Sequence, residues 1–487
     1  MPHHPLSRRI ADVLDLQPGS PAIEYGGQWF SWAQIGAVAQ RIAARTAEQG
    51  PEIGMLLRNR PAQVAAFLGV LLGGGTVVVI NPSRGDERTK ADIAALGLPL
   101  IVGEPDDLTA LVPPGTATEA ISGLPDGAAG PIAACGASAS GVAVRMLTSG
   151  TTGPPKRVEL SYDMLARSVM GRDPESAPAP TELRRSIAIV NSPLVHIGGV
   201  FRVLQCVAEA RSFALLERFE LNAWADAVRR HRPRTVSLVP AALRTVLHSD
   251  VPAADLESIR AVTCGTAPLS ADDADAFTDK YGIPVLTSYA ATEFGGGVAG
   301  WTLPDYQQFW RAKRGSVGRA NPGAQLRVVA DDGAALGPDE VGLLEVKPGQ
   351  MGASAPWLRT TDMARIDGDG FVWIVGRADQ AIIRGGFKIM PEDVRIALEG
   401  HPAVAGAAVI GRPDDRLGET PVAVVELRDA ASTDALIEHL RTRLARYEIP
   451  TEIAVVDTIP RTPSGKVDLA AIRRFFSEPA AHPDHAR

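Results

Sequence analysis

Apolar and polar positions along this chain fall into blocks that switch between two periods. Ala33–Gln49 and Ala62–Leu72 carry apolar residues at helical spacing, whereas Glu52–Leu57 and Thr76–Ile80 are short apolar runs of strand length. The most apolar stretch, Phe67–Ile80, is interrupted by Gly73-Gly74-Gly75 and is too short to span a bilayer. It reads as a helix end, a glycine stop and a strand, and Asn81-Pro82 breaks the chain after it. Gly123–Gly141, rich in Gly, Ala, Ser and Pro, reads as a loop or subdomain joint. Further on, strands are predicted at Ser186–Val190, Thr235–Val239, Ala261–Cys264 and Pro284–Ser288, with a helix at Leu221–Arg230. This alternation predicts layered α/β structure. Gly315–Leu344 changes character to short strands with Gly/Asp turns, a small β subdomain. Phe371–Val375 is a strand, Pro391–Leu398 a helix with proline at its start, and the remainder is βαβ-like.

At 487 residues the chain is too long for one core, and two to four subdomains are expected. Hydrophobic residues at 45% and charged residues at 22% match an ordinary soluble enzyme. A net charge of −7 offers no basic surface for nucleic acid or an anionic membrane. Cys135, Cys206 and Cys264 are widely spaced, form no metal or redox motif, and read as small core hydrophobes of a reduced protein. Met1–Arg9 leads into an ordinary amphipathic segment with no secretory signal, so a cytoplasmic location is expected.

The candidate chemistry begins at Thr148-Ser149-Gly150-Thr151-Thr152-Gly153-Pro154-Pro155-Lys156, delivered by the β-prone run Val142–Leu147 and followed by the polar helical run Ser161–Leu165. Bare backbone N–H groups, hydroxyls and one cation suit a polyphosphate, although a solvated Gly/Thr turn has the same composition. It is not a Walker A loop, because Gly150 and Gly153 are too close and no Ser/Thr follows Lys156. His196 sits at a strand-to-helix junction among apolar neighbours, where a core histidine bonded to backbone is the competing reading. Gly265-Thr266-Ala267-Pro268 closes one strand, and Tyr289-Ala290-Ala291-Thr292-Glu293 follows another. Gly295, Gly297 and Gly300 match G-x-G-x-x-G, but no long helix follows before Pro304, which argues against a dinucleotide site. Trp357–Asp362, Gly376-Arg377-Ala378-Asp379, Arg384-Gly385-Gly386-Phe387-Lys388 and Arg461–Lys466 complete the set.

In this order, from about residue 20 to 475, the motifs resemble the adenylate-forming superfamily of acyl-CoA ligases, peptide-synthetase adenylation domains and luciferases. The resemblance implies a large N-terminal domain of layered α/β and β subdomains (1–378). It also implies a small mobile C-terminal α/β domain (379–487) turning on a hinge at Asp379. Thr148–Lys156 then resembles the loop that holds the β- and γ-phosphates of ATP through Thr148, Ser149, Gly150, Thr151, Thr152 and Lys156. Gly265, Thr266, Ala267 and Pro268 resemble the adenine wall and Tyr289 the stacking ring. Thr292 corresponds to the α-phosphate contact, Glu293 with Thr148 to the Mg²⁺ site, and Asp362 with Arg377 to the ribose site. Lys466 resembles the lysine that bridges substrate carboxylate and α-phosphate during adenylation. Gly385, Gly386, Phe387 and Lys388 resemble the loop that replaces it when coenzyme A attacks, the glycines leaving room for the pantetheine arm. His196, Val200, Phe201, Ala290 and Phe294 would form the acyl pocket, with His196 as its gate. Their apolar character favours a fatty, aryl or polycyclic acid over an amino acid.

The implied activity is an ATP-dependent acid–thiol ligase acting on a small-molecule carboxylic acid and coenzyme A through an acyl adenylate. Four features depart from the family pattern: Arg157 after the loop lysine, Ala290 after the tyrosine, Thr361 beside Asp362, and a short connection from Lys347 to Trp357. They keep open a member that only transfers a ready-made acyl-AMP to coenzyme A. An enzyme charging a carrier protein, or supplied by a partner ligase, shares the motifs. A non-catalytic binder of the same fold has little need of Lys466. The sequence sets no oligomeric state.

Overall fold

A computed structural model describes residues 3–125, 132, 141–148, 156–462 and 466–477. The architecture is mixed α/β with five sheets. The first runs Thr118–Ala120, Leu100–Gly103, Glu52–Leu56, Thr76–Ile80, Val142–Thr148, Lys156–Ser161; all pair in parallel except the last two, which form a hairpin. Its central strands are buried on both faces, as their continuous apolar runs require. The helix Pro61–Leu72 is buried along its whole length. It lies close against Trp32–Gln49 because Gly69 and Gly73 present no side chain to the backbone of Ala39 and Ala43.

A second sheet, Gln28–Ser31, Pro21–Tyr25, Arg211–Leu215, Arg184–Val190, packs into the same core. A third runs Thr235–Leu238, Ala261–Cys264, Val285–Ala291, Gly296–Gly300, Arg319–Ala320. Gly296–Gly300 is thus a strand antiparallel to the tyrosine strand, which disposes of a dinucleotide loop at Gly295–Gly300. The β subdomain expected from Gly315 onward is a four-stranded antiparallel sheet, Gln325–Val329, Gly342–Lys347, Leu358–Ile366, Val372–Arg377.

The chain leaves that sheet at Arg377, passes through a short 3-10 turn at Ala378–Gln380, and enters a separate sheet at Ile382. This last sheet orders Phe387–Ile389, Ile382–Arg384, Gly418–Leu427, Val404–Asp414, with Glu452–Val456 parallel to Gly418–Leu427. The helices Pro391–Glu399 and Thr433–Arg441 cover it around a core of its own. Pro391–Glu399 also packs on Val372–Arg377 of the large unit. There Arg244 donates to Asp273 at 2.6 Å and to Glu399 of the small unit at 2.9 Å. Glu399 also pairs with Arg395, which pairs with Glu392.

Candidate active site

Four elements of the large unit end at one place. The hairpin Val142–Thr148/Lys156–Ser161 pairs Thr148 with Lys156, so the two strands present both ends of the Thr/Gly loop side by side. Ser149, Gly150, Thr151 and Thr152 lie outside the described residues. The second arm of this hairpin is a strand where only the helical run was expected. Ser161 ends it and caps the helix Tyr162–Met170, accepting from the Met164 N–H at 3.1 Å. Arg157 is fully engaged away from the loop, donating to the Val79 carbonyl at 3.2 Å and to Asp92 at 2.6 Å. It therefore anchors the edge strand to the neighbouring helix.

Beside it, Gly265–Pro268 follows the strand Ala261–Cys264. A Cβ at Gly265 would fall 2.7 Å from Ser288 Oγ, so glycine is needed for this strand end to lie against its neighbour. Thr266 adopts φ +73°, a left-handed conformation that a β-branched residue holds only when its surroundings impose it. Thr266, Ala267 and Pro268 are exposed, a bare ledge along the cleft.

Tyr289 comes from the adjoining strand, and its hydroxyl donates to the Asp362 carboxylate. Burial, then the Asp362 charge, raises the phenol pKa, so Tyr289 stays neutral. Asp362 lies directly opposite Arg377 in the antiparallel register. The Arg377 guanidinium grips Asp379 with two bonds of 2.9 and 2.7 Å, and this pairing holds its pKa above the usual value. The expected ribose arginine is thus tied to the expected hinge aspartate. Thr292 and Glu293 form a 3-10 turn at the end of the tyrosine strand, with Glu293 exposed.

From the small unit, Lys466 reaches the same place. Desolvation lowers its pKa; Glu293 and Asp362 oppose the shift and Arg377 reinforces it. Lys466 keeps solvent contact and yet is crowded by protein, as befits a group at a cleft mouth. His196 feels the same ammonium: burial first, then the Lys466 charge, lowers its pKa to about 4, so the imidazole is neutral at physiological pH. Its Nε2 is enclosed and has no hydrogen-bond partner among the described residues. That unused atom is what a ligand-facing histidine requires, and it removes the reading of a backbone-satisfied core residue.

The helix Ile197–Ala208 begins at His196 and has two faces. Val200, Val203, Leu204 and Val207 are buried in the main core, while Ile197, Gly198, Phe201, Arg202 and Gln205 are half-buried on the other side. Val200 accordingly leaves the expected acyl pocket: it points into the core. Phe294 leaves it too, being 3% exposed and packed with Val298, Val328, Leu344 and Val346. Phe201 and Ala290 remain half-buried. The short connection after Lys347 forms a turn at Gly349–Met351 that packs on Tyr162–Met170, where Gln350 donates to Gly297 O at 3.3 Å.

The expected thiol loop is elsewhere. Gly385 and Gly386, φ +58° and +88°, are the two central residues of a tight hairpin. Glycine is required there by the turn itself, apart from any room it leaves for a ligand. Gly385, Gly386 and Phe387 are exposed, and Phe387 stacks on Tyr447 of the same small unit, 4.5 Å between ring centroids. In this arrangement Lys466, and not this hairpin, faces the cleft.

Among the described residues no cluster of three or more His, Cys, Asp or Glu forms a metal cage. A lone exposed carboxylate such as Glu293 fits Mg²⁺ only as it arrives on phosphate oxygens. No described helix is long and apolar enough to cross a membrane. Cys206 and Cys264 are buried with thiols pushed up to about 12, inert core groups. The surface hollow bounded by Leu221, Asp226, Arg229 and Asp255 contains none of the motif residues. Arg244 and Glu399 escaped the sequence reading, and Arg202 entered it only as the end of the acyl-pocket segment His196–Arg202. A lone charge in the apolar run Ile197–Ala208 was the one available signal for Arg202.

The fold and these motifs define an adenylate-forming enzyme of the acyl-CoA ligase branch. The chain belongs to the AMP-binding enzyme family, whose model matches residues 11–353, with the AMP-binding enzyme C-terminal domain matching 396–466. It is 29% identical to a feruloyl-CoA synthase of Amycolatopsis sp over 484 residues, 95% of this chain and 97% of that protein. It is 33% identical to an indoleacetate–CoA ligase of Aromatoleum aromaticum over 348 residues, 68% of this chain and 66% of that one. Among solved structures, the AMP complex of o-succinylbenzoate coenzyme A synthetase from Bacillus subtilis superposes with a TM-score of 0.80 at 25% identity, covering 98% of each chain.

Proposed function

We propose that this protein is an ATP-dependent acyl-CoA ligase that activates a carboxylic acid as its acyl adenylate and passes the acyl group to the thiol of coenzyme A. The observation that carries the mechanism is the convergence of Lys466, from the small unit, with Glu293, Asp362, Arg377 and His196 of the large one. Class and substrates follow the family; the relatives named above act on aryl and arylalkyl acids, and an acid of that kind fits the half-apolar face beside His196.

In the first half-reaction a carboxylate oxygen attacks the α-phosphorus and pyrophosphate leaves. Negative charge accumulates between two anions, and a positioned ammonium offsets it most where water is scarce. Burial lowers the Lys466 pKa in the free cleft, and an arriving carboxylate and phosphate oppose that shift and favour the ammonium. Asp362 accepts the ribose hydroxyls, and Glu293 would hold Mg²⁺, which would offset charge on the triphosphate. His196, neutral and with Nε2 unused, orients the acyl end without adding a second cation. In the second half-reaction the thiolate of coenzyme A attacks the acyl carbonyl and AMP leaves. The small domain turns at Asp379 to bring Gly385–Lys388 in place of Lys466, and exchange of the Arg377–Asp379 contact accompanies the turn.

The test separates the two steps. Lys466→Ala should lower acid-dependent ATP–pyrophosphate exchange by at least two orders of magnitude, while thioester formation from synthetic acyl-AMP persists. Equal exchange in the variant and the parent would remove Lys466 from the mechanism. Absence of exchange with every acid in the parent, together with transfer from acyl-AMP, would make the enzyme a transferase only.

A further inference from the structure

The helix that begins at His196 carries one charged side chain on its cleft-facing side. Arg202 donates to Gln205 Oε1 at 3.0 Å and to Thr263 Oγ1 at 2.9 Å, and it forms no ion pair among the described residues. Two of its five N–H donors are thereby used. Its neighbour Glu209 is already shared between Arg211, at 2.8 Å, and Arg184, at 3.7 Å. The guanidinium is deeply enclosed: desolvation lowers its pKa, Arg211 adds to the shift, and Cys206 and Glu209 oppose it without cancelling it. It nevertheless retains some accessible surface.

Its position is specific. Thr263 lies two residues before the glycine of the adenine ledge, and Gly198, one turn before Arg202, meets nothing nearer than Ser192 at 3.8 Å. The Ile197–Ala208 helix also approaches the strand Gly296–Gly300. Arg202 lies six residues after His196, roughly 9 Å along the helix axis. A buried guanidinium with spare donors and no anion is an incomplete site, because an isolated charge away from water is costly unless paired.

We infer that Arg202 is the specificity residue for the far end of the acid, and that the preferred substrate carries a second anionic oxygen group, a carboxylate or sulfonate, remote from the carboxylate that is activated. The inference rests on the reading of this cleft as the acyl site. An anionic tail completes the arginine's bonding in fork geometry, and a neutral tail leaves the cation unpaired.

The experiment compares matched arylalkyl acids bearing a para-carboxylate, a para-sulfonate or a para-methyl group, assayed as AMP formation with coenzyme A. The parent should favour the anionic tails by on the order of 10- to 100-fold in kcat/KM. Arg202→Met should abolish that preference, mainly through a raised KM for the anionic acids. Arg202→Lys, which keeps a cation but not the fork, should retain part of it. A parent indifferent to the tail, or a Met variant that loses both acids equally, would overturn the assignment. Gly198→Leu separates the two levels of failure. Loss of turnover with every acid in that variant upholds the acyl cleft whatever Arg202 does, whereas unchanged turnover would overturn the cleft and the inference together.

Discussion

The contact between the two units offers the most direct test of how the enzyme chooses between its half-reactions. Arg244 is 14% exposed and joins Asp273, 18% exposed, to Glu399 of the small unit, 9% exposed. Such a pair lies between an exposed bridge, worth up to about 1 kcal/mol, and a buried one whose rupture costs about 3–5 kcal/mol. Losing it should cost about 2 kcal/mol, or roughly 30-fold in the ratio of this orientation to others. Arg244→Met removes the bridge and leaves Glu399 paired with Arg395. Glu399→Gln removes it from the other side and leaves Arg395 paired with Glu392. On the proposed turn at Asp379, Lys466 occupies the cleft in this orientation alone, and either variant should then slow pyrophosphate exchange. The loss is about 30-fold where the orientations are near balance and smaller where this one strongly dominates. Thioester formation from acyl-AMP should be unchanged or faster. The double variant should lose little more than either single one, since the two side chains share one interaction. Parallel decline of both half-reactions with a falling melting temperature would mean that the contact serves stability alone.

Two pH effects follow from the same structure. Burial, then Glu448 and Glu392, raises the Asp393 carboxyl to about 6. A raised carboxyl favours folding below its unfolded value near 3.8 and loses that contribution as pH rises through about 6. Asp393→Asn should therefore stabilise the small domain at pH 7–8 and do nothing below about pH 4. The gain should stay under about 1 kcal/mol because the side chain is exposed, and denaturant melts across that range would show it. His196 behaves oppositely: its pKa falls from 6.5 to about 4, so stability present above pH 6.5 is lost as pH falls through about 4. The loss is up to about 3 kcal/mol. Ring-proton NMR should find the His196 midpoint near 4, and His196→Gln should flatten the acid limb of the stability curve; a midpoint near 6.5 would show an open, solvated imidazole.

Local sequence decided much of this molecule. The apolar run Thr76–Ile80 forms a central strand because five consecutive buried side chains suit a sheet covered on both faces. The glycine stop before it ends the preceding helix where expected. Pro391 starts a helix, and the Gly/Asp-punctuated stretch after Gly315 becomes antiparallel β structure. The order of motifs was enough to name the family, because each motif is a short loop whose residue types are dictated by phosphate, ribose or acyl chemistry.

What the sequence left undecided is what depends on direction and distance. Val200 and Phe201 are neighbours in sequence, yet one lies in the core and the other on the cleft side, because 100° separates successive residues of a helix. Arg157 looked like a disturbance of the phosphate loop until its bonds to Asp92 and Val79 turned it outward. Arg244 and Glu399 have no local signature, since each acquires its meaning from an element far away in the chain. Lys466 was recognisable from its loop, but only the packing of the small unit brings its ammonium to Glu293, Asp362 and His196. Residue types fix which chemistry is available, and the tertiary structure decides which charges meet, because electrostatic work depends on separation and on the water excluded between them.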